Sequence, residues 1–387
     1  MTRRQTTLRI FLSISLSALS IHCSRAIQFE DGASNAGGTV GGNPKLTYYP
    51  SLTDSPEIEW DAPANNVQNY EVRFGSQPNL GDLLEWNPVG TGRSYQHTGL
   101  NLLDGGVYYY SVRAKTTDAQ TLAVLTNESW KAVQCPTSYE FVPALSGYTD
   151  RGFCVAKYEA KQSGGAGVSQ VSGFPWVNIT RNAARIACQT NGAAFDLLTN
   201  LEWQTLARNI EMVAENWDQG TVGSVGGLNR GHSDGVPNQS LAASTDDNQS
   251  CSDTGQTCSL AIWSDQRRTH KLADGSILWD IGGNVREWLQ DDNSTVRGKN
   301  EMISLVTNVA PFLLSAKNEF GPAGNYSSLN SGNFGGFGEA HINFASGGLN
   351  RGGSWAAGIN AGVFAASLAN QIDNSLSALG FRCVYRP

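Results

Sequence analysis

The chain has 387 residues, of which 43 are glycine and 16% are charged; 34 acidic against 27 basic side chains give a formal net charge of −7. This length suggests about two or three compact units, each long enough to bury a core. The acidic balance argues against nucleic acid and anionic membrane surfaces as partners.

Residues 1–26 have the three-part pattern of a secretory signal peptide: a basic start, the apolar stretch IFLSISLSALSI, and small residues at Ser24 and Ala26. Two processing routes stay open. Either a signal peptidase cuts after Ala26, or Cys23 carries lipid as in a bacterial lipoprotein and attaches the chain to the membrane, although His22 replaces the usual small residue before it. Both routes predict export, to the cell envelope, the periplasm or the extracellular space. Residues 27–44 form a Gly-rich flexible linker.

Residues 45–133 show the period-two alternation of β-strands. The stretches EIEW, NYEVRFG and VYYYSVRAKT are separated by turn-forming residues, which predicts an antiparallel sandwich. Trp60, the run Tyr70–Arg73 and the run Tyr108–Ala114 resemble a fibronectin type III domain. That resemblance implies a fold and a spacer or adhesion role, without chemistry.

From residue 135 onward the pattern changes to helices and long loops. Thr180 and Thr199 each begin a predicted helix, and Glu202 completes a capping box with Thr199. Six cysteines follow the leader, an even number in an exported chain, which favours disulfides. Zinc binding is the weaker alternative, because the chain has no C-x-x-C pair and no histidine three to five residues from a cysteine.

Ordered motifs across residues 135–387 are similar to those of the sulfatase-modifying-factor family, the fold of the formylglycine-generating enzyme. They are FCVAKYE (153–159), the helix with Ala183, Ala184 and Cys188, LTNLEW (198–203), NRG (229–231), WDIGGNVREW (279–288), RGGSW (351–355) and GFRC (380–383). The family fold is an elaborated C-type-lectin-like domain. The predicted fold class is therefore multidomain: an all-β fibronectin III-like sandwich followed by an α+β C-type-lectin-like domain.

The resemblance also shows which catalytic ligands are missing. Copper-dependent members hold Cu(I) with two cysteine thiolates, and the matching positions here are Ala357 and Gly362, whose side chains cannot ligate a metal. A branch of iron enzymes uses three histidines, but His232, His270 and His341 are widely spaced and are more simply surface or loop residues. No copper or iron is expected, and catalysis is not expected.

A calcium site is implied by the same resemblance, around the GN-x-x-E-W motif. Its ligands would be the carboxylates of Asp280 and Glu287 and the backbone carbonyls of Gly283 and Val285, an oxygen set that suits Ca²⁺. The alternative is that the two carboxylates only cap backbone amides of the loop.

The family resemblance further implies three disulfides. They are Cys188–Cys383, Cys135–Cys154 and Cys251–Cys258. A catalytic cysteine pair is the alternative, but these pairings leave no obvious free thiol.

Residues 355–379, here called the 355–379 segment, occupy the place of the catalytic cysteines and are predicted to face a ligand. RGGSW, an AGVFA-type strand and GFR also resemble the variable proteins of diversity-generating retroelements, in which Asn codons are mutated at adenines. Residues that such mutation of an Asn codon can produce, together with asparagines left unmutated, predict the ligand-binding residues; Gln371 cannot arise in this way. The alternative is that these small residues only pack against the core. With the flanking aromatic residue, the predicted set is Trp355, Ala356, Ala357, Ile359, Asn360, Ser367, Ala369, Asp373, Ser375, Leu376 and Ala378.

The predicted function is recognition of a protein or glycan ligand by an exported, non-catalytic display protein. Two alternatives remain: a metal-dependent oxidase of the same family that lacks the copper cysteines, and a structural protein of the cell envelope.

Overall fold

The computed structural model describes residues 51–52, 57–60, 67–100, 102, 106–118, 121–145, 147–149, 152–292, 294–295, 302–304, 319–324, 326, 335–342 and 347–386. The predicted signal peptide, the linker and Cys23 lie outside these residues. No helix within the described ranges is long and apolar enough to cross a membrane.

In the N-terminal part, the described residues form seven strands in two sheets. The strands are β1 (Ser51–Leu52), β2 (Glu57–Glu59), β3 (Asn69–Gly75), β4 (Leu84–Gly90), β5 (Ser94–Gln96), β6 (Val107–Lys115) and β7 (Thr121–Val133). One sheet has the order β1-β7-β6-β3-β4, and β2 pairs with β5 in the other. Along β3, Val72 and Phe74 are fully buried whereas Glu71 and Arg73 are partly exposed, as the alternating sequence predicts. The strands predicted from EIEW, NYEVRFG and VYYYSVRAKT are confirmed.

The C-terminal part, residues 135–386, contains both helices and strands. It comprises β8 (Tyr139–Val142), β9 (Phe153–Ala156), β10 (Lys161–Ser163), β11 (Ala166–Val168), α1 (Arg181–Gln189), β12 (Phe195–Leu197), α2 (Asn200–Met212), β13 (Thr269–Lys271), β14 (Ile277–Trp279), β15 (Arg286–Asp292), β16 (Met302–Ser304), β17 (Glu339–His341), β18 (Gly348–Arg351), β19 (Ala366–Ser367), β20 (Leu379–Gly380) and β21 (Cys383–Tyr385). The larger sheets have the orders β12-β21-β9-β8 and β16-β17-β19-β18-β15-β20. The predicted α+β class is confirmed for this part.

Both predicted helix starts are confirmed by their hydrogen bonds. The Thr180 side chain accepts from the backbone N–H of Ala183 at the start of α1. At α2, the Thr199 side chain accepts from the N–H of Glu202, whose carboxylate accepts from the N–H of Thr199 at 2.7 Å. These bonds satisfy donors that a helix start otherwise leaves unpaired.

The main hydrophobic core joins α2 to the six-stranded sheet. Trp203 on α2 is fully buried, and its indole N–H donates to the carbonyl of Val363 at 2.7 Å. Val363 and Phe364, inside the 355–379 segment, belong to the same buried cluster as Leu349 on β18. The core therefore fixes the middle of that segment and leaves its two flanks outside.

All three predicted disulfides are confirmed. Cys135–Cys154 and Cys188–Cys383 each have a Cα–Cα distance of 5.5 Å, and Cys251–Cys258 has 5.3 Å. The second bond links α1 to the last strand across 195 residues of sequence. A disulfide is typically worth about 2–4 kcal/mol and more for a longer closed loop, so this bond should contribute most.

Candidate ligand-binding surface

The 355–379 segment is held at each end by a buried arginine. Before it, Arg351 donates to the carbonyl of Phe364 at 3.1 Å and to the side-chain oxygen of Gln204 at 2.9 Å. After it, Arg382 forms a two-pronged ion pair with Glu287, with nitrogen–oxygen distances of 2.7 and 2.8 Å. Arg351 is therefore held by neutral acceptors and Arg382 by a buried ion pair, in which the loss of either partner leaves an uncompensated charge.

Exposure divides the segment into a middle and two flanks, which are residues 355–360 and 367–379. The middle, residues 361–366, is buried throughout, and Leu368 is buried too. All eleven predicted ligand-binding residues lie outside this buried middle. Ala356, Ile359, Asn360, Ala369, Asp373, Ser375 and Leu376 are exposed, and Trp355, Ala357, Ser367 and Ala378 are partly exposed. Gln371, which does not fit the codon pattern, is exposed as well.

The two flanks meet on either side of the GN-x-x-E-W loop. The backbone N–H of Trp355 donates to the carbonyl of Asn284 at 2.8 Å, and the N–H of Arg286 donates to the carbonyl of Ala378 at 2.9 Å. Asn284 and Arg286 thus each form a main-chain hydrogen bond with one of the two flanks. The flanks therefore form one surface with Arg286 between them.

Neighbouring loops complete the edges of this surface. On one side, the N–H of Gly235 donates to the carbonyl of Trp355, and the N–H of Gly358 donates to that of Ser233, both at 2.7 Å. On the other side, the N–H of Asn178 donates to the carbonyl of Leu376 at 3.0 Å. The main chain of both flanks is thereby fixed by hydrogen bonds that do not depend on which side chains are exposed.

Glu159 holds the loop that carries the two flanks. Its carboxylate accepts from the backbone N–H of Val285 at 3.0 Å and from the side-chain amide of Asn284 at 2.6 Å. The oxygen of the same amide accepts from the N–H of Leu241 at 2.7 Å. Burial raises the pKa of Glu159 well above its usual value, and nearby Asp280 raises it further. Glu159 lies in the quoted FCVAKYE motif, but sequence reasoning assigned it no role.

Asp280 and Glu287, the predicted calcium ligands, are both bonded to arginines. Asp280 accepts from Arg268 at 2.8 and 2.7 Å, and Glu287 accepts from Arg382. Within the described ranges, no group of three His, Cys, Asp or Glu side chains is placed to hold a metal ion. These contacts disfavour a calcium ion at Asp280, Gly283, Val285 and Glu287, because each carboxylate already binds a guanidinium, whose positive charge would repel the cation. They also differ from the alternative that Asp280 and Glu287 cap backbone amides of the loop, since the amide of Val285 is bonded to Glu159.

The positions that match the copper-binding cysteines are Ala357 and Gly362. Ala357 is partly exposed, whereas Gly362 is buried with a φ of 152°. A Cβ atom at residue 362 would lie 2.1 Å from the carbonyl oxygen of Gly336 and 2.5 Å from the carbonyl carbon of Phe337. The backbone therefore has no room for a cysteine at this position.

The three histidines are not brought together. His232 and His270 are fully buried, each with its Nε2 at 3.0 Å from a backbone carbonyl, that of Gln239 and of Asn229 respectively. His341 is partly exposed and lies 2.7 Å from Glu339. His232 lies in a loop and His341 is partly exposed, whereas the expectation of a surface or loop residue is wrong for His270, which is buried on β13. Burial lowers the pKa of His270 to about 3, so its imidazole is neutral at physiological pH.

The sequence matches one protein family over most of its length. Residues 117–387 match the sulfatase-modifying factor enzyme 1-like domain. No curated protein matches the chain.

Several solved structures are similar to the chain at low identity. Treponema denticola variable protein 1 is 15% identical over 61% of this chain and 85% of that one, with a TM-score of 0.31. The Major Tropism Determinant M1 variant is 13% identical over 88% of this chain and 83% of that one, with a TM-score of 0.33. The α-L-rhamnosidase from Dictyoglumus thermophilum is 14% identical over 29% of this chain, which spans only 16% of that protein, with a TM-score of 0.19.

The ordered motifs, the buried arginines at the ends of the 355–379 segment and the family match all concern the same C-terminal part. Because the family model covers residues 117–387, well over half of the chain, the protein belongs to the family of sulfatase-modifying factor enzyme 1-like domains.

Proposed function

We propose that the protein is a non-catalytic display protein whose 355–379 segment binds a macromolecular ligand. The observation that carries the proposal is the division of exposure: all eleven predicted contact residues reach solvent, whereas residues 361–366 between them are buried. Side chains on the flanks can therefore change without changing the core. A surface held by main-chain hydrogen bonds and variable in its side chains is suited to recognition.

A copper-dependent oxidase is disfavoured by the same region. A copper site needs two thiolates, and the backbone around Gly362 has no space for one. Elemental analysis of the purified full chain tests this reasoning. Stoichiometric copper or iron would contradict a non-catalytic role.

A binding selection tests the display function directly. Random peptides displayed on phage would be selected on the immobilised full chain, and each hit would be tested against the double variant I359D/L376D. Ile359 and Leu376 are 37% and 42% exposed, so the fold should tolerate both changes while binding is lost.

The matched control changes two exposed apolar residues outside the segment. Met212 and Ile262 are 48% and 56% exposed, and M212D/I262D should keep the binding that I359D/L376D loses. Equal binding to wild type and both variants would mean that the 355–379 segment is not the binding surface.

The N-terminal sandwich is proposed to be a fibronectin III-like spacer in an exported chain. Its support is a separate buried cluster that includes Trp60, Val72 and Val112, together with the disulfides of the C-terminal part, which are typical of oxidising compartments. Mass spectrometry of the mature N-terminus distinguishes the two processing routes: a chain beginning at Ile27, or a lipid on Cys23.

A further inference from the structure

Arg286 is placed where the two flanks of the 355–379 segment meet. It is the first residue of β15, its N–H is bonded to Ala378, and Asn284 two residues before it is bonded to Trp355. The Glu287 side chain points into the core, to Arg382. Because successive side chains of a strand point to opposite faces, the partly exposed Arg286 side chain lies on the face of β15 opposite Glu287, the face that it shares with the buried Trp288.

Arg286 differs from the other arginines of the C-terminal part. Within residues 152–386, its guanidinium has no hydrogen bond or ion pair with another described residue. Every other described arginine there has an acceptor. These are Arg181, Arg185, Arg208, Arg230, Arg267, Arg268, Arg351, Arg382 and Arg386. Burial alone lowers the pKa of Arg286, and no carboxylate offsets that effect.

The surroundings of Arg286 have the composition of a protein–protein contact. The partly exposed Trp355 is bonded through its backbone to Asn284, two residues before Arg286. Ile359 and Leu376 are exposed on the two flanks. Energetically dominant interface residues are enriched in Trp and Arg, surrounded by apolar contacts that exclude water. A half-buried guanidinium without a partner lacks only an acceptor, and its planar N–H donors match a carboxylate.

We propose that Arg286 is the anion anchor of the 355–379 surface and binds an aspartate or glutamate carboxylate of a protein partner. The proposal rests on the display function argued above and adds the chemistry of its ligand. A protein is favoured over a glycan because Ile359 and Leu376 are exposed on the two flanks, and apolar side chains match a protein surface better than a sugar.

Two matched peptide libraries test the proposal. Both contain the same random positions, but the central residue is Asp or Glu in one library and Asn or Gln in the other. On the full wild-type chain we expect the acidic library to be enriched at least about tenfold over the amide library, the effect of one charge-assisted hydrogen bond. The preference should disappear with R286Q and persist in part with R286K, which keeps the charge and loses the two-pronged geometry.

Stability measurements separate anchoring from a structural role. Because the guanidinium has no partner among the described residues, R286Q should melt at the wild-type temperature or above it. A clear fall in melting temperature would assign Arg286 a structural role and overturn the proposal.

The remaining outcomes distinguish a failure of the Arg286 proposal from a failure of the proposed display function. Peptides that bind wild type, fail to bind I359D/L376D and show no preference for acid would overturn the role of Arg286 and leave the display function intact. A failure of both libraries on wild type, together with no binding on a glycan array, would overturn both. Selective binding to carboxylate-bearing sugars on a glycan array, with no peptide enriched, would overturn the choice of a protein partner.

Discussion

Adding one methyl group at Gly362 should destabilise the protein strongly. In G362A, the new Cβ would lie 2.1 Å from the carbonyl oxygen of Gly336, whereas ordinary van der Waals contact begins at 3.4 Å. That oxygen belongs to the backbone, so the main chain itself must move by more than an ångström. The φ of 152° is also strained for any residue with a Cβ.

The expected cost combines strain and overpacking. A residue in a sparsely populated backbone region costs about 1–3 kcal/mol, and overpacking a core costs typically about 1–3 kcal/mol. We therefore expect G362A to lower the free energy of unfolding by about 2–6 kcal/mol. Because native stability is commonly about 5–15 kcal/mol, this loss should be evident in urea denaturation.

Gly358 provides the matched control within the same segment. Its φ is 58°, but a Cβ there would meet no atom within 4 Å. G358A should therefore show only the conformational cost, about 1–2 kcal/mol. If the two variants were equally stable, the contact with Gly336 would not exclude a side chain, and the steric argument against a copper thiolate at residue 362 would fail.

The other predictions concern calcium, pH and the gene. Because Arg268 and Arg382 occupy the carboxylates of Asp280 and Glu287, adding a chelator should leave the melting temperature unchanged; a fall would show that calcium replaces those ion pairs. The pKa of His270 is about 3 when folded and 6.5 when unfolded. The contribution of the neutral His270 to the free energy of unfolding is therefore complete above pH 6.5 and is lost as the pH falls toward 3. In H270Q the free energy of unfolding should fall less steeply with acid, by up to about 1.4 kcal/mol per pH unit. Parallel profiles for wild type and H270Q would contradict the burial effect. If the exposed positions of residues 356–378 are diversified from Asn codons, their codons should end in C or T, and sequencing the gene decides this.

Local patterns predicted the features whose causes are local. The helix starts at Thr180 and Thr199 follow from bonds made within three residues, and the strand from Asn69 to Gly75 follows from strict alternation. The disulfides spanning 7 to 195 residues came from the family resemblance, because cysteine spacing alone does not give their pairing.

Charge pairing in the core could not be predicted from the sequence. Asp280 has its partner Arg268 twelve residues away, but Glu287 has its partner Arg382 ninety-five residues away. An acidic residue in a Gly-containing loop has the same appearance whether it will bind a cation, cap an amide or pair with an arginine. Only the tertiary structure shows that the loop amides go to Glu159, which belongs to a different motif.

The arrangement separates the residues that maintain the fold from those that meet a ligand. The frame at the ends of the 355–379 segment uses buried arginines whose loss leaves a carboxylate or a carbonyl unpaired, so it tolerates little change. The flanks are fixed through main-chain atoms, and exposed side chains there contribute little to stability. Arg286 lies between these two groups: it belongs to a core strand, but its guanidinium has no partner in the part of the chain that the structure describes. A protein that varies its flanks while keeping Arg286 would keep one acidic contact constant and change the apolar specificity around it.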